Sequence, residues 1–192
     1  MQRRSFLTTA TWGAAGLIAA GPLATLAGTI KRKPMNNTGF SRVNHVGIVV
    51  ADLDRAVTFY ETLTGRKVSN TDEIGGSRMA QVLGLDKTLI RYANLHLDNI
   101  NIDLLEYKQP EPSRAHYENN QISAMHLCFE VDDIHEAVKR LKDAGIRLSG
   151  EPIVFEEADG LKSGWGTAVA YFDDPDGTHL EIIAPQGPFK RA

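Results

Sequence analysis

Two stretches of the chain repeat one pattern, and this repeat decides the fold. Residues 45–65 read HVGIVVADLDRAVTFYETLTG, and residues 126–145 read HLCFEVDDIHEAVKRLKDAG. In each, a histidine opens an alternating apolar strand, an aspartate follows, and apolar residues at helical spacing lead to a closing glycine. His45 and His126 lie 81 positions apart, as do the two aspartates that follow them. The correspondence indicates two copies of one strand–helix–strand–strand–strand unit.

The first unit is predicted to combine a strand, a helix and a hairpin. Asp52 is a suitable N-cap for the helix, and Gly65 is a suitable stop. Residues 70–87 contain three glycines and show no clear period, so we expect a mobile loop there. The predicted elements are a strand over 42–50, a helix between Asp52 and Gly65, a strand that starts at 67–68, and a hairpin of strands over 89–97 and 100–107.

The second unit follows a polar, proline-containing linker. Asp133 and Glu136 are predicted to form a capping box for a helix that runs through Ala144. A loop over 154–166 then leads to a predicted hairpin of strands over 167–172 and 178–183. We therefore divide the chain into module one (42–107), a linker (108–122), module two (123–185) and a tail (186–192). Since each module alone would leave one sheet face uncovered, the two must pack together or against another chain.

Two imidazoles and two carboxylates lie on strand-like segments of these modules. They are His45, Glu106, His126 and Glu181. A polar side chain on a buried sheet face needs a partner, and four such groups that converge would satisfy one another best through a divalent metal ion. Nitrogen and oxygen donors without a thiolate suit zinc, nickel, cobalt, manganese or iron(II). The single cysteine, Cys128, excludes an internal disulfide, and we interpret it as a wall residue of the site.

Composition and charge narrow the class of partner. The chain has 192 residues, of which 42% are hydrophobic and 23% charged, and this is ordinary for a globular protein. The formal net charge is −3, and there is no basic stripe. We therefore expect a small-molecule substrate and no nucleic acid partner.

The N-terminus has the features of an export signal. Arg3-Arg4-Ser5-Phe6-Leu7 resembles the twin-arginine motif, and a mildly apolar stretch over 10–28 follows it. We predict a signal peptide over 1–28 and a flexible leader over 29–41. The protein would then be periplasmic or secreted, and free of the membrane once the signal is cleaved. An uncleaved anchor and a chance arginine pair on a cytoplasmic protein are the alternatives.

The repeated segments also carry a family resemblance. The chain resembles the vicinal oxygen chelate superfamily, which includes glyoxalase I, methylmalonyl-CoA epimerase, extradiol dioxygenases and fosfomycin or bleomycin resistance proteins. The resemblance implies an α+β fold in which two βαβββ modules form a half-open barrel around a metal. The matching segments are 44–50 (NHVGIVV), 104–107 (LLEY), 126–133 (HLCFEVDD) and 174–181 (DPDGTHLE).

The resemblance also implies a ligand set and a chemistry. The glyoxalase I and epimerase branch takes its metal ligands from the first and fourth strands of both modules, which implies His45, Glu106, His126 and Glu181 here. The expected enzyme is a metal-dependent lyase or isomerase, which removes a proton beside a carbonyl through a metal-stabilised enediolate. By analogy Glu181 is the first choice for the catalytic base and Glu106 the second. An extradiol-type dioxygenase and a non-catalytic periplasmic binding protein are the alternatives, and a homodimer is the expected assembly.

Overall fold

A computed structural model describes residues 39–190 of the chain. The predicted signal peptide lies outside these residues. Within them, no helix is long and apolar enough to cross a membrane. Residues 42–190 form a single compact unit.

Module one forms a four-stranded sheet with the strand order β1-β4-β3-β2. β1 runs parallel to β4, and the other two pairs are antiparallel. The longer helix, α1, packs against β3 and β4. The elements are β1 (His45–Val49), α1 (Leu53–Thr64), β2 (Asn70–Gly75), α2 (Ser77–Leu83), β3 (Leu89–His96) and β4 (Asn101–Gln109).

Module two repeats this arrangement with the order β5-β8-β7-β6. Here β5 runs parallel to β8, and α3 packs against β7 and β8. The predicted α+β fold with two βαβββ modules is confirmed. The elements are β5 (His126–Glu130), α3 (Ile134–Asp143), β6 (Ile153–Val154), β7 (Ala168–Asp173) and β8 (His179–Ala184), with short 3-10 turns over Glu157–Asp159 and Gly187–Phe189.

Both predicted helix starts are confirmed by their capping hydrogen bonds. The backbone N–H of Arg55 donates to the side chain of Asp52 at 2.9 Å, and this bond is the main reason that the pKa of Asp52 is lowered. The Asp133 carboxylate accepts from two backbone N–H groups of the first turn of α3. Gly65 ends α1 in the left-handed conformation, with φ 68°, which a residue with a Cβ adopts only at a cost.

The prediction of a mobile loop over 70–87 is wrong. That segment holds β2 and α2. β2 lies at the edge of its sheet and all six of its residues are exposed, so its sequence lacks the apolar alternation that marks a half-buried strand. α2 buries only Ala80, so its helical period is equally weak.

One apolar core joins the two modules. It lies between the sheets and their helices, and it combines fully buried side chains of module one, such as Leu53 and Leu104, with Phe172 and Leu180 of module two. The helix-facing side of each sheet is therefore covered by protein. The opposite side of each sheet faces away from this core.

A buried hydrogen bond ties the modules together. The hydroxyl of Tyr60, which is fully buried, donates to Asp174 at 3.0 Å. Asp174 also accepts from the backbone N–H groups of Asp176 and Thr178. Burial and the neighbouring carboxylate raise the pKa of Tyr60. This contact fixes α1 of module one on the turn before β8.

Removing the Tyr60 hydroxyl is expected to destabilise the protein. Tyr60→Phe leaves one oxygen of a buried carboxylate without its donor, which costs about 1–2 kcal/mol in the free energy of unfolding. Urea denaturation followed by circular dichroism measures this loss, and Tyr107→Phe, the same change at a half-buried tyrosine, is the control. Equal midpoints for the two variants would contradict the assigned role.

The same bond predicts a pH dependence at the alkaline end. Because the pKa of Tyr60 is raised in the folded state, its contribution to stability is intact below the ordinary tyrosine pKa of about 10 and is lost as the pH rises through the folded value. Urea midpoints measured from pH 8 to pH 11 should fall more steeply for the wild type than for Tyr60→Phe. Parallel curves would show that the phenol ionises equally easily in both states.

Candidate metal centre

The register of β1 on β4 decides which side chains of module one share a face. His45 lies opposite Asn101, and Gly47 lies opposite Asp103. Since side chains alternate along a strand, His45 and Asp103 point to the same side of the sheet. That side is turned away from α1. We call the sheet of module one sheet one and the sheet of module two sheet two, and we call the side of each sheet that is turned away from its helix the site face. His45 Nε2 lies 3.7 Å from an oxygen of Asp103.

Glu106 lies on the opposite side of the same sheet. It shares the parity of Ile102 and Leu104, which are buried in the core. Its carboxylate accepts from Lys108 Nζ at 2.6 Å and from Arg91 at 3.1 Å. Arg91 in turn donates to Asp54, in the first turn of α1. The structure therefore does not bring Glu106 together with His45, and Glu106 has a structural ion-pair role instead.

Module two pairs its residues as the resemblance implies. His126 lies opposite His179, and Cys128 lies opposite Glu181, so all four share the site face of sheet two. His126 Nε2 contacts Glu181 Oε2 at 3.0 Å. The Glu181 side chain is 10% exposed, whereas that of His126 is 44% exposed. The structure thus brings two of the predicted residues into direct contact.

The two registers together identify Asp103 as the counterpart of Glu181. Asp103 sits beside the third residue of β1, and Glu181 sits beside the third residue of β5. The two carboxylates are 78 positions apart, whereas Glu106 and Glu181 are 75 apart. The sequence carries a signal for this, because residues 102–105 (IDLL) match residues 180–183 (LEII) in the position of the acid between apolar residues. Residue type alone pairs Glu106 with Glu181, whereas the position on the strands pairs Asp103 with Glu181.

Neighbouring side chains orient the module-one pair. The side-chain oxygen of Asn44 lies 2.9 Å from Nδ1 of His45. The other ring nitrogen, Nε2, faces Asp103. Asn94 donates to the other oxygen of Asp103 at 2.6 Å. This arrangement of an oriented imidazole and an anchored carboxylate is typical of metal ligands with outer-sphere support.

Tyr171 supports the module-two pair in the place that Asn94 occupies in module one. It lies opposite Glu181 on β7, so the two side chains share the site face of sheet two. Its ring packs edge-on against His126, with ring centroids 5.4 Å apart. Burial, followed by the charge of Glu181, raises the pKa of Tyr171 to about 12. Tyr171 is a functional candidate that the sequence analysis missed, since nothing in the sequence fixed its direction.

His179 is already engaged by the protein. Nδ1 bonds to Asp173 at 2.7 Å, and Nε2 bonds to the backbone carbonyl of Tyr117 in the linker. The hydrogen bond to Asp173 is the main reason that the pKa of His179 is raised. With both ring nitrogens committed, His179 anchors the linker to the edge of the site face and is not free to bind a metal.

The four donors form two separate pairs in one chain. Among the described residues, no three His, Cys, Asp or Glu side chains lie close enough together to hold a metal ion. Each pair nevertheless suits a divalent ion, because an imidazole lone pair and a carboxylate oxygen that face each other repel unless a cation or proton lies between them. One imidazole and one carboxylate make half of a four-ligand set. The residues fit a metal when both pairs contribute.

Comparison with known proteins agrees with this architecture. Residues 42–182 match the family model described as Glyoxalase/Bleomycin resistance protein/Dioxygenase superfamily. A 2-epi-5-epi-valiolone epimerase from Actinomyces is 32% identical over 80% of this chain and 85% of its own length. The human mitochondrial methylmalonyl-CoA epimerase is 28% identical over 70% of this chain and 79% of its own.

Solved structures share the fold. A glyoxalase family protein from Bacillus cereus covers 80% of this chain and 99% of its own, with a TM-score of 0.67 and 24% identity. A variant of the fosfomycin resistance protein FosX from Listeria monocytogenes, in complex with Mn(II), gives a TM-score of 0.51 at 17% identity over 76% of this chain and 94% of its own. The fold thus occurs with a divalent metal in at least one relative. The family match and the repeated modules show that this chain belongs to the Glyoxalase/Bleomycin resistance protein/Dioxygenase superfamily.

Proposed function

We propose that this protein is a metal-dependent isomerase of the epimerase type, which moves a proton on a carbon atom beside a carbonyl. The observation that carries the proposal is the pair of equivalent half-sites, His45 with Asp103 and His126 with Glu181. The two epimerase relatives support an isomerase over a lyase. The glyoxalase I-type lyase remains the nearest alternative within the same chemistry.

The proposed metal ligands are the two histidines and the two carboxylates of these pairs. Asp103 replaces Glu106 in the set, because it shares the site face with His45 and Glu106 does not. A divalent ion bound there would act as a Lewis acid toward the oxygen atoms of the substrate. Zinc, nickel, cobalt, manganese and iron(II) all suit these nitrogen and oxygen donors.

The carboxylates of the site are the proposed proton carriers. Glu181 is the proposed base, since one of its oxygens contacts His126 and the carboxylate lies opposite Tyr171 on the neighbouring strand. An epimerase must return a proton to the face opposite the one from which it was taken, so it needs two acid–base groups. Asp103, which comes from the other module and is held by Asn94, is the proposed second group.

We also propose that the complete site forms between two copies of the chain. β1 and β5 are edge strands, and the site faces that carry His45 and His126 are open to solvent. An open edge and a half-complete donor set are both satisfied when module one of one copy meets module two of the other. The proposed partner is therefore a second copy, in a homodimer with two sites.

Proton exchange with solvent tests the proposed reaction. The metal-reconstituted protein is incubated in D₂O with 2-epi-5-epi-valiolone or with methylmalonyl-CoA, and the carbon beside the carbonyl is followed by proton NMR. We expect loss of the proton signal together with formation of the epimer. Oxygen consumption in place of exchange would identify a dioxygenase, and binding with neither would leave a non-catalytic binding protein.

We further propose that the protein is exported through the twin-arginine route. The support is the sequence Arg3-Arg4-Ser5-Phe6-Leu7 ahead of a mildly apolar stretch. Replacing both arginines by lysine should prevent the protein from reaching the periplasmic fraction in a bacterial host with this pathway. Unchanged fractionation of that variant would contradict the proposal.

A further inference from the structure

The site faces are notable for the charge that they carry. In the eight strands, all of which lie in the described part of the chain, the basic residues are Arg91 and Lys108. Both lie on the helix side of sheet one, where Arg91 pairs with Asp54 and Glu106, and Lys108 pairs with Glu106. The strands therefore place no lysine or arginine on either site face, and His179, on the site face of sheet two, is paired with Asp173.

The charges that the strands do place on the site faces are negative. Beside the proposed ligands Asp103 and Glu181, the strand registers put Asp72 on the site face of sheet one and Glu130 on that of sheet two, where Asp173 is paired with His179. Such a surface repels phosphate and carboxylate groups. A substrate with a long anionic carrier is therefore a poor electrostatic match for the strands that surround the proposed metal.

Neutral hydrogen-bonding groups share the rest of the site face of sheet one with apolar residues such as Val49, Leu105 and Ile74. Asn70, Asn94 and Asp103 are paired across the neighbouring strands β2, β3 and β4. Two residues along, Asp72 of β2 is paired with Tyr92 of β3. Because neighbouring strands are about 4.8 Å apart, Asn94 is about 5 Å and Asn70 about 10 Å from Asp103 across the sheet. Amide, phenol and carboxylate groups at this spacing can donate to or accept from hydroxyl groups.

His96 and Asn101 lie opposite each other on β3 and β4 of the same face, and hydrogen bonds already fix their side chains. His96 Nδ1 lies 2.7 Å from the side-chain oxygen of Asn101, and its Nε2 lies 2.9 Å from the hydroxyl of Ser69. These bonds use the oxygen of Asn101 and leave its amide nitrogen available, as far as the described residues show. A preorganised set of donors costs less entropy to bind a polyol than flexible side chains would.

From this juxtaposition we infer that the site takes an uncharged, polyhydroxylated carbonyl compound and not an anionic acyl thioester. The inference rests on the proposed function for its metal and its proton transfer, and it adds the class of substrate. The hydroxyl groups would bind to the amide and phenol groups of sheet one, while the carbonyl and its neighbouring oxygen would face His45 and Asp103.

Two probes separate the classes, and binding is measured apart from turnover. The metal-reconstituted protein is mixed with scyllo-inosose, a neutral polyhydroxylated ketone, or with methylmalonyl-CoA. Ligand-observed NMR reports binding, and loss of the proton beside the carbonyl in D₂O reports turnover. We expect binding and exchange of scyllo-inosose that an equal concentration of methylmalonyl-CoA does not displace.

The outcomes distinguish this inference from the proposed function. Exchange of methylmalonyl-CoA without any binding of scyllo-inosose would overturn the substrate class and uphold the isomerase. Binding of scyllo-inosose without exchange would uphold the class and count against the isomerase. No binding of scyllo-inosose, with or without turnover of the thioester, overturns the inference.

A matched pair of variants tests whether the site face of sheet one binds the hydroxyl groups of the substrate. Asp72 and Glu73 are adjacent in β2 and point to opposite sides of the sheet. Asp72→Ala is expected to raise the KM for scyllo-inosose about fivefold with kcat unchanged, which corresponds to the loss of one hydrogen bond. Glu73→Ala removes an acidic side chain on the other side and should leave both constants unchanged. Equal effects of the two variants would contradict recognition by this face.

Discussion

Glu181→Gln is expected to lower the rate of proton exchange by about 1,000-fold, within the range for the loss of a general base. The reason is that an amide cannot take up the substrate proton, although its oxygen can still point toward a metal. The rate is measured by NMR in D₂O with whichever substrate the wild type turns over. The metal content is measured on the same sample, so that loss of the base can be separated from loss of the metal.

Glu106→Gln is the matched control for that experiment. Glu106 is equally buried, but it lies on the helix side of its sheet and pairs with Arg91 and Lys108. Its replacement leaves Lys108 without its carboxylate and Arg91 with Asp54 alone, and it should lower the unfolding midpoint in urea, with the exchange rate per folded molecule preserved. An equal loss of exchange in both variants would contradict the assignment of Glu181 as the base.

Mixing two inactive variants should restore activity. His45→Ala damages module one, and His126→Ala damages module two, so each homodimer would hold only damaged sites. If a site combines module one of one copy with module two of the other, a mixed dimer contains one intact site. Co-expression with two different affinity tags, followed by an exchange assay of the doubly purified dimer, measures the recovery. Because double purification removes the homodimers, the sample should show about half of the wild-type activity per dimer.

The recovered activity shows whether the site forms between two chains or within one chain. A site formed within one chain would carry one damaged histidine in every copy, and the mixed dimer would be as inactive as its parents. The control is a dimer of two His45→Ala chains that carry the two different tags. It shows whether the purification itself raises the measured activity. Activity in that control sample would invalidate the comparison.

Much of the fold could be predicted because apolar periods and caps report it directly. The repeat that begins at His45 and His126 identified both modules, and Asp52 and Asp133 marked both long helices. β2 and α2 could not be found in this way, because an exposed edge strand and a helix that buries one alanine leave almost no apolar period.

The site was harder to predict than the fold because it depends on the register between strands. A shift of three positions, from Asp103 to Glu106, exchanges one face of β4 for the other. The sequence contains both acids, and only the pairing of β1 with β4 shows which one lies beside His45. Asn94 and Tyr171 lie beside the carboxylates only because β3 pairs with β4 and β7 pairs with β8 in these registers. Residue type alone therefore could not identify them.

The central claim is that His45, Asp103, His126 and Glu181 together hold one divalent metal ion. Metal content by inductively coupled plasma mass spectrometry of the purified wild type, Asp103→Ala and Glu106→Ala tests it most directly. We predict about one ion per chain in the wild type and in Glu106→Ala, and almost none in Asp103→Ala, because loss of one of four ligands weakens binding strongly. Metal retained by Asp103→Ala and lost from Glu106→Ala would contradict the account.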